Sequence, residues 1–359
     1  MAIEFNARIR DIPSYPAADG YALGEHVALL ASNESPEVPL PEVVEAAQRA
    51  VAGANRYPDP SASVLRRRLS ERYGVPVSRI ALGNGSCDIL LAAGQALLEP
   101  GAELVYAWPS FSMYPQLAAA SGARAVTVPV NDRHEHDLDA MLREISAATR
   151  LVIVCNPNNP TSTALPFERI KAFVEQVPSH IALVLDEAYC EYSTLDDPDA
   201  TLDLLDDHPN LVLLRTFSKV YGLAGLRVGF GLCGSEDFVG AVNQVRQPFF
   251  VNVAAQAAAV EALRHADAVT ERVERAVAAR LHIEEGLSRL GMQVADSQAN
   301  FVWFDLPEDT DEAEIVRGLR ERDIIVRAGT ALGRPGALRV SFGPPSHNQR
   351  FLDVLGELL

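Results

Sequence analysis

Short apolar runs alternate with longer amphipathic stretches over the first two thirds of the chain. RIAL (79–82), ELVYA (103–107), ARAVTVPV (123–130), LVIVC (151–155), IALVL (181–185) and LVLL (211–214) read as strands, and RVGFGLCG (227–234) as a further one. Between them lie helical patterns: VLRRRLSERYG (64–74), closed by Gly74, then ILLAAGQALL, FSMYPQLAAASG, DLDAMLREISAA and the stretch from Pro166 to Val177. A loop, ASNESPEVPL, leads into an earlier helix with Pro41 in its first turn. Strands alternating with helices predict a mostly parallel sheet covered on both faces.

The pattern changes after Gly234. Residues 236–290 are rich in Ala, Val, Glu and Arg and read as long helices, one of which is suited to join two domains. NFVWFDL (300–306), IIVRA (324–328) and ALRVSFG (337–343) then read as strands, mixed with the helix DEAEIVRGLRERD and a terminal helix. The expected fold class is α/β. Residues 28–246 form a large domain, and residues 1–27 and 247–359 supply an extended N-terminal arm and a smaller α+β domain.

Composition narrows the function. The 359 residues are 48% hydrophobic and 22% charged, ordinary values for a globular protein. Thirty-one Lys and Arg against 48 Asp and Glu give a net charge of −17, which disfavours nucleic acid as a partner. No apolar run approaches the ~18 residues of a spanning helix, so no membrane partner is expected. The charged start MAIEFNARIRDIP does not read as a signal peptide. Cys87, Cys155, Cys190 and Cys233 are scattered without metal-ligand spacing, so neither a metal nor a disulfide framework is expected, and a cytoplasmic setting follows by default.

Three apolar runs, LVIVC, IALVL and LVLL, are followed by polar groups: Asn159, Asp186 with Tyr189, and Ser218 with Lys219. Ligands of open parallel sheets bind outside the carboxyl ends of the strands, so these clusters are expected to converge on one ligand. Partial drying of Lys219 would lower its pKa and free its lone pair to form an imine with a carbonyl compound. Ser218 and Arg227 add a hydroxyl and a fixed positive charge suited to a phosphate. The stretch reads as a lysine holding a phosphorylated aldehyde, with an ordinary loop lysine as the alternative. Asp186 is either a helix cap or the partner of a protonated pyridine nitrogen. Tyr189 is a packed core tyrosine or a hydrogen-bond partner of the ring hydroxyl, and Asn159 caps its Asn/Pro-rich turn or joins the ligand.

GNGSCD (83–88) follows a strand and opens a helix. It is a tight turn, or a place where the amides of Gly85, Ser86 and Cys87 meet an anion at the positive helix end. Phe111 packs in the core or stacks on a planar ring. Arg327 and Arg339 stand in apolar strands, where each needs a carboxylate or phosphate, from a substrate or from a salt bridge.

NPNNPTS, DEAY, TFSK, GLAGLR and ALRVSFG stand in one order, after ASNESP and NRYPD. This ordered set runs along nearly the whole chain. It resembles the fold type I, pyridoxal-phosphate-dependent aminotransferases, and within them the histidinol-phosphate aminotransferase branch, which also contains aromatic (phenylalanine) aminotransferases. The resemblance implies pyridoxal 5'-phosphate as cofactor and Lys219 as its covalent anchor and proton shuttle. It implies Asp186 on the pyridine nitrogen, Asn159 and Tyr189 on O3′, and Phe111 on the ring face, where many relatives have Tyr. Gly85, Ser86, Cys87, Ser218 and Arg227 would hold the phosphate. Tyr57 would reach the partner's phosphate in a homodimer. Tyr15 and Asn33 would line the substrate pocket, with Arg339 on a substrate carboxylate and Arg327 on the phosphate of histidinol phosphate.

Two positions depart from the family pattern. Ser162 stands where the family has a turn glycine, and Cys87 where an acidic or polar residue is common. NPTST and SQANFVW are also similar to actinobacterial phenylalanine-type members. The reaction implied is ping-pong transamination between an amino donor and a 2-oxo acid. L-histidinol phosphate with 2-oxoglutarate is the first expectation, and an aromatic amino acid as donor is the second. A decarboxylase of the same fold is a third, and a ligand-binding regulatory module would need a DNA-binding segment that this acidic chain lacks.

Overall fold

The computed structural model describes residues 3–14, 24 and 26–359. Tyr15 lies outside the described residues. The first strand, β1 (Ala28–Leu29), leads into the body of the molecule. Seven strands then form one sheet: β2 (Ile80–Gly83), β3 (Glu103–Trp108), β4 (Arg124–Pro129), β5 (Thr149–Cys155), β6 (Ala182–Asp186), β7 (Leu211–Thr216) and β8 (Gly229–Cys233). Their spatial order is β2-β8-β7-β6-β5-β3-β4. The five strands from β7 to β4 run parallel, and β8 lies antiparallel between β7 and β2. Hence β2 points the same way as β7, and both end at the same edge.

The apolar runs are continuous because both faces of the sheet are covered. Alternate residues separate cleanly. Leu183, Leu185, Leu211 and Leu213 join the core beneath helices Pro41–Val51, Ser63–Tyr73 and Val253–Ala262. Val184, Val212 and Leu214 face the opposite layer, built from helices Ser86–Leu97, Met113–Ser121 and Glu236–Val245. Asp186 is two residues beyond Val184, so it emerges on that second face.

Downstream, β9 (Gln293–Val294), β10 (Phe301–Asp305), β11 (Ile324–Ile325), β12 (Arg327–Ala328) and β13 (Ala337–Ser341) complete the strands. β12-β13-β10-β9 form an antiparallel sheet. Val302, Phe304, Leu338 and Val340 pack beneath helices Ala266–Arg289, Glu312–Arg320 and Pro345–Leu358. Phe301, Arg339 and Ser341 alternate to the other face. IIVRA, expected as one strand, is divided. Its first two residues pair in parallel with β1, and its last two pair with β13.

Packing runs across residues 28 and 246, where the sequence pattern put the domain boundaries. Ala28 and Leu30 belong to the C-terminal core, while Phe250, Ala255 and Ala259 lie under the large sheet. Helix Ala266–Arg289 touches both regions, with Val273 beside Tyr189 and Leu287 in the C-terminal core. We propose that the domains change near the start of this helix.

Candidate active site

The ends of β5, β6 and β7 deliver their polar residues to a single cavity of about 480 Å³. Asn159, Asp186, Tyr189, Ser218 and Lys219 all line it, as the strand-end argument predicts. Ser86, Cys87, Phe111 and Arg227 join them from the same edge of the sheet. Asn33, Arg327 and Arg339 line the opposite side, so the cavity lies between the two sheets.

Lys219 is fixed by its neighbours in sequence: Phe217 and Val220 are fully buried on either side of it. Its Nζ donates to the Ser32 carbonyl at 3.2 Å and lies 5.6 Å from the Tyr189 ring centroid. Burial lowers the amine to about 8, and the positive charge of Arg339 acts in the same direction. A useful fraction is therefore neutral at physiological pH.

Asp186 is 3% exposed. Its Oδ2 accepts from the Tyr114 hydroxyl at 2.8 Å, and its Oδ1 has no hydrogen-bond partner among the described residues. Burial pushes the carboxyl up to about 6, opposed by the Tyr114 hydroxyl and the Ala188 amide. Glu187 projects to the other face, where its carboxylate meets Arg215 at 2.9 Å in a buried ion pair remote from the cavity lining. Tyr189 accepts from Asn33 Nδ2 at 3.1 Å and from Asn159 Nδ2 at 3.4 Å. Its phenol is raised by burial and stays protonated.

Gly85 caps helix Ser86–Leu97 with φ +79°. A Cβ there would sit 2.5 Å from Arg227 Nη2, so only glycine lets the guanidinium lie over this turn. Arg227 Nη1 lies 3.5 Å from Ser218 Oγ. The positive helix end, a hydroxyl and a guanidinium thus meet at one corner, a donor set suited to a phosphate.

Arg327 and Arg339 are direct cross-strand partners on β12 and β13, which puts both side chains on one face. Arg339 donates to Asn159 Oδ1 at 2.6 Å and to the Ala31 carbonyl. Asn33 is tied to both regions, because its Oδ1 accepts from Ser341 Oγ at 2.8 Å while its Nδ2 serves Tyr189. Ser162 has φ +61°, the conformation that favours glycine, and its hydroxyl donates to the Thr161 carbonyl at 2.6 Å. The Asn159 side chain is nonetheless in the cavity.

Tyr57 is not in the cavity. It is 78% exposed and stacks on Phe249 with ring centroids 4.3 Å apart. The sequence reading overlooked Tyr114, Ser32 and Ser341. Tyr114 stands in the apolar helical pattern FSMYPQLAAASG, where a tyrosine reads as core. Ser32 acts through its backbone carbonyl, which carries no sequence signal. Among the described residues no group of His, Cys, Asp and Glu is placed to hold a metal ion, and no helix is long and apolar enough to cross a membrane.

The buried, unpartnered Asp186 Oδ1, the amine of Lys219 and the anion-suited corner by Arg227 fit pyridoxal 5'-phosphate. Comparisons with known proteins agree. The chain is 45% identical over 329 residues to the aromatic amino acid aminotransferase of Thermobifida fusca, covering 91% of this chain and 89% of the relative. It is 41% identical over 333 residues to histidinol-phosphate aminotransferase 2 of Pseudomonas fluorescens, covering 93% and 89%. The crystal structure of histidinol-phosphate aminotransferase from Sinorhizobium meliloti in complex with pyridoxal-5'-phosphate superimposes with a TM-score of 0.87 at 30% identity, covering 100% of this chain and 98% of that one. The family model for aminotransferase class I and II matches residues 25–355. The protein is therefore a pyridoxal-phosphate-dependent enzyme that belongs to the class I and II aminotransferases.

Proposed function

We propose that this aminotransferase moves an amino group from L-histidinol phosphate to 2-oxoglutarate. The observation that carries this reading is the register of Arg327 against Arg339, which puts two arginine side chains on one face of the sheet, both lining the cavity. A phosphate on the donor and the distal carboxylate of the acceptor are both matched by such a fork. An aromatic amino acid as donor is the second reading. The name of the Thermobifida fusca relative favours it, and Phe111 and Leu332 give the cavity an apolar wall.

When bound, the cofactor supplies an electron sink that stabilises negative charge at the substrate Cα. The chain supplies the rest. Lys219 Nζ takes the proton from the substrate Cα and would hand it on to C4′ of the cofactor, for which an amine near neutrality is suited. Asp186 Oδ1 holds the proton of the ring nitrogen. Asn159 and Tyr189 orient the ring hydroxyl, and Phe111 covers the ring. Ser86, Cys87, Ser218 and Arg227 hold the phosphate, while Arg339 receives a carboxylate. Tyr57 extends from the surface to the phosphate of a second copy in a homodimer.

Initial rates of L-glutamate formation from 2-oxoglutarate test the donor, with L-histidinol phosphate and L-phenylalanine supplied separately. A kcat/KM at least tenfold higher for histidinol phosphate supports the first reading. The reverse order assigns the aromatic donor.

A further inference from the structure

The Asp186 carboxylate is unequally served. Oδ2 accepts from Tyr114 at 2.8 Å, and Oδ1 is buried without a partner among the described residues. Tyr114 is fully buried in the same layer as Val184 and Cys155. Its ring meets Tyr106 and Phe111 edge-on, with centroids 5.8 and 5.7 Å away, which leaves the phenol little freedom to turn. A phenol raised by burial is a donor at every working pH. Because one oxygen is occupied by a fixed donor, the other becomes the free acceptor.

We infer that Tyr114 is a positioning residue: its hydroxyl locks one Asp186 oxygen and keeps the carboxylate ionised, so that Oδ1 is held ready for the ring nitrogen of bound pyridoxal phosphate. This rests on the proposed role of Asp186. A hydrogen bond to the charged form lowers a carboxyl pKa against the rise caused by burial. The other titratable groups around Asp186 are Cys155 on β5, Cys87 on helix Ser86–Leu97, Lys219 after β7, and Glu187 and Tyr189 on its own segment. Lys219 also favours the charged carboxylate and Glu187 opposes it; the neutral donors are the Tyr114 hydroxyl and, more weakly, the Ala188 backbone amide, so Tyr114 is the side chain whose removal can be tested.

The test is the dissociation constant of pyridoxal phosphate from the apoprotein, titrated by fluorescence from pH 5.5 to 8. In the wild type, binding weakens as Asp186 becomes protonated. Tyr114→Phe shifts that midpoint upward by about one pH unit, the effect of a lost charge-assisted hydrogen bond, and so weakens binding about twofold at pH 7 and about fivefold at pH 6. Asp186→Asn removes the midpoint, and Tyr114→Phe added to it changes affinity less than twofold. Placing 3-fluorotyrosine at 114, a stronger donor of nearly the same size, lowers the midpoint and covers the case in which Tyr114→Phe fails to fold. A Tyr114→Phe or fluorotyrosine protein with the wild-type midpoint overturns the inference, whatever its absolute affinity. An Asp186→Asn protein that binds with wild-type affinity and midpoint overturns the role of Asp186 instead.

Discussion

Asp186 should destabilise the apoprotein that contains it. Its carboxyl is raised from 3.8 to about 6, chiefly by burial. A shift of about two units corresponds to about 3 kcal/mol lost by the folded state once the group ionises. The sign follows from proton counts. Between pH 4 and 6 the folded chain holds this proton and the unfolded chain does not, so stability falls as pH rises through that window and stays low above it. Asp186→Asn removes the charge and keeps an acceptor for the Tyr114 hydroxyl. An amide N–H₂ without a partner returns ~1 kcal/mol of the gain, leaving about 2 kcal/mol in favour of the variant. Urea unfolding of both apoproteins at pH 4.5 and 7.5 measures this. The variant should be more stable by about 2 kcal/mol at pH 7.5, with most of the gap closed at pH 4.5. Equal stabilities at pH 7.5, or a gap independent of pH, would refute the reasoning.

Gly85→Ala forces the Arg227 guanidinium away and places a Cβ at φ +79°. Cofactor affinity should fall at least tenfold, and the loss should not add to that of Arg227→Ala; additive losses would show that the two act separately. Ser162→Ala and Ser162→Gly both remove the hydroxyl and differ mainly in the cost of φ +61°. The glycine protein should be the more stable of the two by ~1 kcal/mol in urea unfolding, and a more stable alanine protein would contradict the backbone argument. Modification of Lys219 by trinitrobenzenesulfonate in the apoprotein should titrate near pH 8, and Arg339→Gln should raise that midpoint because a neighbouring positive charge has gone. An unchanged midpoint would remove Arg339 from the cause.

The large sheet was legible because its strands are buried on both faces and read as continuous apolar runs. The same property exposed the site, since a polar residue just after such a run needs a reason. Asn159, Asp186 and Lys219 were visible on that ground alone. Tyr114 and Ser32 were not. A tyrosine in an apolar helix looks like core, and a backbone carbonyl serves a lysine whatever its side chain. The division of IIVRA was hidden for another reason. Its apolar character is uniform, and only the partners, β1 on one side and β13 on the other, separate the two halves. The role of Gly85 could be guessed from its turn, but the contact that excludes a side chain comes from Arg227, 142 positions away in the sequence.

That divided segment has a consequence for how substrate range can diverge. Arg327 is aligned with Arg339 by only two register pairs, followed at once by a tight turn at Gly329. Lengthening or shortening the 329–336 connection by one residue would slip the pairing and send Arg327 to the opposite face. Lys219, Asp186 and the phosphate corner belong to the other sheet and would not move. With the roles proposed above for Arg327 and Lys219, this one hairpin gives descent a place to exchange donors while the proton chemistry is inherited intact.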